Sequence, residues 1–104
     1  MLYLAHSLEQ LNDLINTKGE LVVVEYYRTY CTSCQIMDSV ILQYAREFEA
    51  NLKLVKVDID KVHVPNADSI TVTPTFDFYK DGINFSQFVG SDPVGLKKVI
   101  ASHV

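Results

Sequence analysis

The chain has 104 residues, 48% of them apolar, enough for one packed core and too few for two. Residues 1–104 are therefore expected to form one domain. Its 13 acidic and 9 basic side chains leave a formal charge of -4 with no basic run, which argues against a nucleic-acid partner. No stretch approaches the ~20 apolar residues of a membrane span. Met1 to Ala5 pass at once into polar residues without a basic leader, so the expectation is a soluble, cytoplasmic protein. A core of this size can stand without disulfide staples or a structural metal, which leaves the two cysteines free for chemistry.

In chain order the pattern is α/β, with no internal repeat or low-complexity tract. Leu2 to Ala5 reads as a short strand. Ser7 with Gln10 three residues later forms a capping box for a helix whose apolar face is Leu8, Leu11 and Ile15, with Gly19 as its stop. Leu21 to Tyr27 is almost unbroken in β-branched and aromatic residues, as befits a central strand covered on both faces. A helical pattern then runs from the second cysteine to about Ala50. Its stripe is Cys34, Met37, Ile41, Tyr44 and Phe48.

Leu52 to Val57 reads as a strand parallel to its predecessor through a right-handed crossover. Asp60 to Ser69, broken by Pro65, reads as irregular or as a short helix. Thr75 to Tyr79 and Ile83 to Val89 flank Asp81-Gly82, a hairpin turn signal. Asp92 followed by Pro93 starts a last helix, which turns Leu96, Val99 and Ile100 toward the sheet.

The chemistry-bearing feature is Cys31-Thr32-Ser33-Cys34 at the junction of the central strand and a helix start. Unpaired N–H groups and the positive end of the helix dipole favour thiolate at the first sulfur. Cys31 is thus the expected nucleophile, exposed to substrate, and Cys34, one turn in on the core-facing stripe, the expected resolver and disulfide partner. The competing readings are two inert buried cysteines or half of a metal site. A zinc site needs two more ligands, and His6, His63 and His103 are isolated, so neither metal nor cofactor is expected.

Val22 to Tyr27, Tyr30 to Cys34, Val55 to Asp60, Val72 to Thr75, Tyr79 to Gly82 and Val89-Gly90 resemble the successive landmarks of the thioredoxin family, over essentially the whole chain. The resemblance implies a thioredoxin fold, a mixed sheet with helices on both faces. It implies a protein-disulfide reductase acting on disulfide-containing targets, with thioredoxin reductase as a candidate electron donor. It also implies a cis bond between Thr73 and Pro74, a substrate segment paired to the backbone of Thr73, and Gly90 leaving room for that segment. Glu25 occupies the place of a buried acid that exchanges protons with the resolving cysteine, and Lys56 that of the lysine paired with it. Tyr30 replaces the tryptophan before the first cysteine as a substrate-facing platform. Tyr27 replaces a second tryptophan and is read as packing.

Several positions depart from that pattern. Thr32-Ser33 stands where the family usually has Gly-Pro, a pair that tunes thiolate stability and disulfide strength. Ser39 replaces a helix-kinking proline, Gln35 a lysine, and Asp38 adds negative charge near the helix start. A monomeric oxidoreductase is expected. The alternatives left open are a redox-inactive binding module or chaperone using the same groove, and a glutathione-coupled enzyme of glutaredoxin type.

Overall fold

A computed structural model describes residues 1–104. Its elements are β1 (Leu2–Ala5), α1 (Leu8–Ile15), β2 (Leu21–Tyr27), α2 (Thr32–Glu47), β3 (Leu52–Asp58), β4 (Thr75–Lys80), β5 (Ile83–Val89) and α3 (Pro93–Ala101), with one 3-10 turn at Ala67–Ser69. The strands form a single sheet in the order β1-β3-β2-β4-β5. β2 pairs in parallel with β3 on one side and antiparallel with β4 on the other, so the strand richest in β-branched residues lies in the middle. This is the mixed sheet expected of the fold.

Side-chain alternation divides the core into two layers. Val22, Val24, Tyr26, Val55 and Val57 face α1 through Leu11 and Ile15. Leu21, Val23, Leu52, Leu54, Phe76 and Phe78 face Met37, Ile41 and Tyr44 of α2 together with Leu96 and Ile100 of α3. Each buried apolar side chain contributes on the order of 1.5–3 kcal/mol against its exposed state. Alternation along β2 places Glu25 on the α2 side, after Leu21 and Val23. The same strand that builds the core thus delivers a carboxylate into it.

The local signals act as their chemistry dictates, with three differences. Ser7 Oγ accepts from Gln10 N at 3.1 Å, but the Gln10 side chain reaches back to the amide of His6 at 2.8 Å, one residue before the cap. α1 ends with Asn16 as its cap, and Gly19, at φ +79°, turns the chain toward β2 after the helix has stopped. α2 ends at Glu47, short of the expected Ala50, because Phe48 leaves helical geometry and closes the stripe half-buried. Asp81 and Gly82 both take positive φ, 50° and 81°, which matches the turn to the twist of β4 and β5. Asp92 caps α3 through the amide of Gly95 at 3.1 Å, with Pro93 in the first turn.

Candidate active site

The start of α2 is organised by a sulfur. Cys31 is itself the N-cap residue, extended at φ -139° and ψ 102°, and its Sγ accepts the amide hydrogen of Cys34 at 3.2 Å. A cap of this kind satisfies one of the helix's unpaired donors and turns the positive end of the dipole on the sulfur. Cys31 and Cys34 are joined as a disulfide, with their Cα atoms 5.2 Å apart.

Hydroxyls surround the first sulfur. Thr73 Oγ1 lies 3.2 Å and Ser33 Oγ 3.4 Å from Cys31 Sγ. Ser33 Oγ also donates to the carbonyl of Thr73 at 2.8 Å. These neighbours leave Cys31 only 8% exposed, which corrects the expectation of an openly exposed first cysteine. Cys34 is buried on the stripe, as its spacing requires. Thr32, the other residue between them, points outward at the start of α2.

The bond between Thr73 and Pro74 is cis, and the Thr73 hydroxyl and carbonyl lie against Cys31 and Ser33. Gly90 follows β5 and donates its amide hydrogen to the carbonyl of Pro74 at 2.9 Å. Its φ of +104° is a conformation that L residues adopt at a cost, and a Cβ added there would meet nothing within 4 Å. The position therefore opens onto free surface. Tyr30 stands 94% exposed beside the disulfide, and Ile36 and Val72 expose further apolar surface on the flanking segments.

Behind the cysteines, Glu25 is completely buried and neither carboxylate oxygen has a hydrogen-bond partner. Parallel register sets it beside Lys56, whose Nζ lies 3.9 Å from Glu25 Oε1. The same ammonium is 2.7 Å from Asp38 Oδ1 on α2 and sits over the ring of half-buried Tyr27 at 4.7 Å. Burial pushes the Glu25 carboxyl from its ordinary 4.5 up to about 7, opposed by the Lys56 ammonium and reinforced by Asp38. Burial also works against the charge of Lys56, but its carboxylate neighbours outweigh this, and the ammonium is held above its ordinary value.

Most of the residues picked from the sequence thus meet at one end of the sheet: Cys31, Cys34, Thr32, Ser33, Tyr30, Thr73, Pro74 and Gly90, with Glu25 and Lys56 behind them. Two contacts escape a reading of the sequence, the Thr73 hydroxyl on Cys31 and the Asp38 carboxylate on Lys56. Asp38 lies one helical turn beyond Cys34, and that spacing was the available signal for the second. His6, His63 and His103 are all exposed, each on a different segment.

A disulfide-forming cysteine pair at a helix start, beside a cis proline on a mixed sheet, defines a thiol–disulfide exchange protein. Residues 3–102 match the family model described as Thioredoxin, and the chain belongs to the thioredoxin family. It is 29% identical to Thioredoxin-2 of Saccharomyces cerevisiae over 94% of each chain. It is 32% identical to a Thioredoxin H-type of Chlamydomonas reinhardtii over 79% of this chain and 74% of the relative. Among solved structures, Fasciola hepatica thioredoxin superposes with a TM-score of 0.89 at 31% identity, covering 97% of this chain and 98% of the other. The protein is a thiol–disulfide oxidoreductase that acts on disulfide-containing targets.

Proposed function

We propose that the protein reduces disulfides in extended segments of other proteins by a two-step exchange in which Cys31 attacks and Cys34 resolves. The observation that carries this reading is the capping of α2 by the Cys31 sulfur, with the Thr73-Pro74 segment beside it. In the first step the Cys31 thiolate attacks one sulfur of the target disulfide, forming a mixed disulfide and releasing the target's other sulfur as a thiolate. In the second step Cys34 gives its proton to the Glu25 carboxylate, through water, and the resulting thiolate attacks Cys31 Sγ. The Cys31–Cys34 disulfide forms and the target's second thiolate leaves, so the target gains two electrons and the protein loses two.

Each surrounding group has a part in that scheme. Tyr30, Val72 and Ile36 offer an apolar platform, and the Thr73 backbone pairs with the target while Gly90 leaves room for it. A carboxyl poised at about 7 is suited to exchanging protons with a thiol near neutrality. Lys56 tempers that carboxyl, and Thr32 and Ser33 tune the disulfide.

For the return of electrons we propose a thioredoxin reductase, with residues 1–104 working as one monomeric domain. We place the protein in the cytoplasm, where a reducing environment would keep the Cys31–Cys34 pair available for redox cycling rather than permanent stapling. No helix of the chain is long and apolar enough to cross a membrane.

Trapping tests the exchange. Replacing Cys34 by Ser leaves the mixed disulfide unresolved, so target proteins should accumulate bound through Cys31. A Cys34→Ser protein that forms no adduct with any protein disulfide overturns the scheme. Comparing NADPH with thioredoxin reductase against glutathione as the source of electrons then separates thioredoxin from glutaredoxin coupling.

A further inference from the structure

The ammonium of Lys56 stands between two carboxylates and makes its short contact with the less obvious one. It is hydrogen-bonded to half-exposed Asp38 at 2.7 Å, whereas Glu25, completely buried, lies 3.9 Å away, beyond hydrogen-bond reach. The lysine side chain is itself mostly buried, pressed over the ring of Tyr27 at 4.7 Å, so it is not a freely swinging surface group.

The surroundings of Glu25 contain few other charges. β3 contributes Lys56 in register, with Asp58 farther along beside Tyr27. β4 contributes Phe76 directly opposite. α2 contributes Asp38 and the two cysteines at its start, and the α3 side chains in this layer, Leu96 and Ile100, are apolar. The ionic balance at Glu25 therefore rests on Lys56 and on whatever holds Lys56.

We propose that Asp38 is a positioning residue for the resolving step: by holding the Lys56 ammonium on its own carboxylate, it keeps that charge from closing on Glu25. It thereby sets the pH at which Glu25 takes up the Cys34 proton. The link to catalysis rests on the reading of Glu25 as the proton acceptor; the positioning itself does not. A lysine stem is flexible enough to travel the short distance from a 3.9 Å contact to a hydrogen bond. A charge-assisted hydrogen bond from Lys56 would favour the Glu25 carboxylate, which at present has no donor at all. The directions of the neighbouring influences agree: Lys56 draws the Glu25 carboxyl down, and Asp38 pushes it up.

The test is a carboxyl-carbon NMR titration of Glu25 in the oxidised full chain, for the parent, Asp38→Asn, Lys56→Met and the double variant. With Asp38→Asn, Lys56 turns to Glu25 and the proton affinity of Glu25 falls roughly tenfold. Asp38→Glu restores the parent midpoint. In the Lys56→Met background the effect of Asp38→Asn shrinks to the smaller direct repulsion between the two carboxylates. An unchanged midpoint in Asp38→Asn, or an equal change with and without Lys56, overturns the proposal. The pH profile of mixed-disulfide release by Cys34, measured in the same variants, separates the two layers of the argument. A rate profile that follows the NMR midpoint supports both. An NMR midpoint that moves while the rate profile stays fixed supports the positioning and overturns Glu25 as the proton acceptor.

Discussion

The amide of Cys34 donates to the sulfur of Cys31 across 3.2 Å, so the two cysteines are linked by a helix cap as well as by their disulfide. Cap and active-site sulfur are one atom. On reduction the same amide faces a thiolate, and the Thr73 hydroxyl at 3.2 Å is placed to donate a second hydrogen bond.

The Thr73 contact leads to the first prediction. Thr73→Val is nearly isosteric and removes only the donor. A hydrogen bond to a charged group is worth about 1.5 kcal/mol, so attack of Cys31 on a small disulfide at neutral pH should slow roughly tenfold. The difference should fade at alkaline pH, where the thiol ionises without help. Stopped-flow rates across a pH series measure this, and a uniform slowing at every pH would point to distorted geometry instead.

Glu25 ties stability to pH. Its carboxyl is raised from 4.5 to about 7 in the folded chain, so between these values the native state binds more protons than the unfolded state. Stability conferred by the neutral buried carboxyl is full below pH 4.5 and is lost as pH rises through about 7. The loss is about 3 kcal/mol. Glu25→Gln should abolish this dependence and be the more stable protein at pH 8, as urea unfolding at several pH values would reveal.

Gly90 is held by conformation rather than by crowding, since an added Cβ meets no atom within 4 Å while φ is +104°. Gly90→Ala should therefore lower unfolding free energy by about 1–2 kcal/mol through backbone strain alone. Denaturant melts of the oxidised protein check the value.

Tyr30 should separate recognition from folding. At 94% exposure it contributes little to the core, and Tyr30→Ala should change stability by no more than about 0.5 kcal/mol. The KM for a protein disulfide should rise several-fold, while the rate with a small aromatic disulfide stays near that of the parent. Parallel assays on the two substrates read the contrast.

Much of this molecule was legible because its signals are local. The Ser7 and Asp92 caps, the Asp81-Gly82 turn and the unbroken run of β2 act over a few residues, and each element formed where its pattern lay. The end of α2 and the aim of Gln10 were not, because fraying and the reach of a flexible side chain are settled by small energies at the margin. Cys31 is less exposed than its motif implies, since a sequence does not show Ser33 and Thr73, hydrogen-bonded to each other, closing over its sulfur.

The sequence by itself determined the dithiol, its place at a helix start, and the apolar stripe that buries Cys34, because strand and helix periodicities are properties of neighbouring residues. Tertiary structure alone decided which distant groups surround that dithiol. Thr73 meets Cys31 across 42 positions, and Lys56 meets Asp38 across 18. Such contacts arise from strand register and from the packing of α2 on the sheet, and their electrostatics depend on burial that no local pattern carries. Whether Lys56 serves Glu25 or Asp38 turns on little more than an ångström, 3.9 against 2.7 Å, a margin only the folded chain can define.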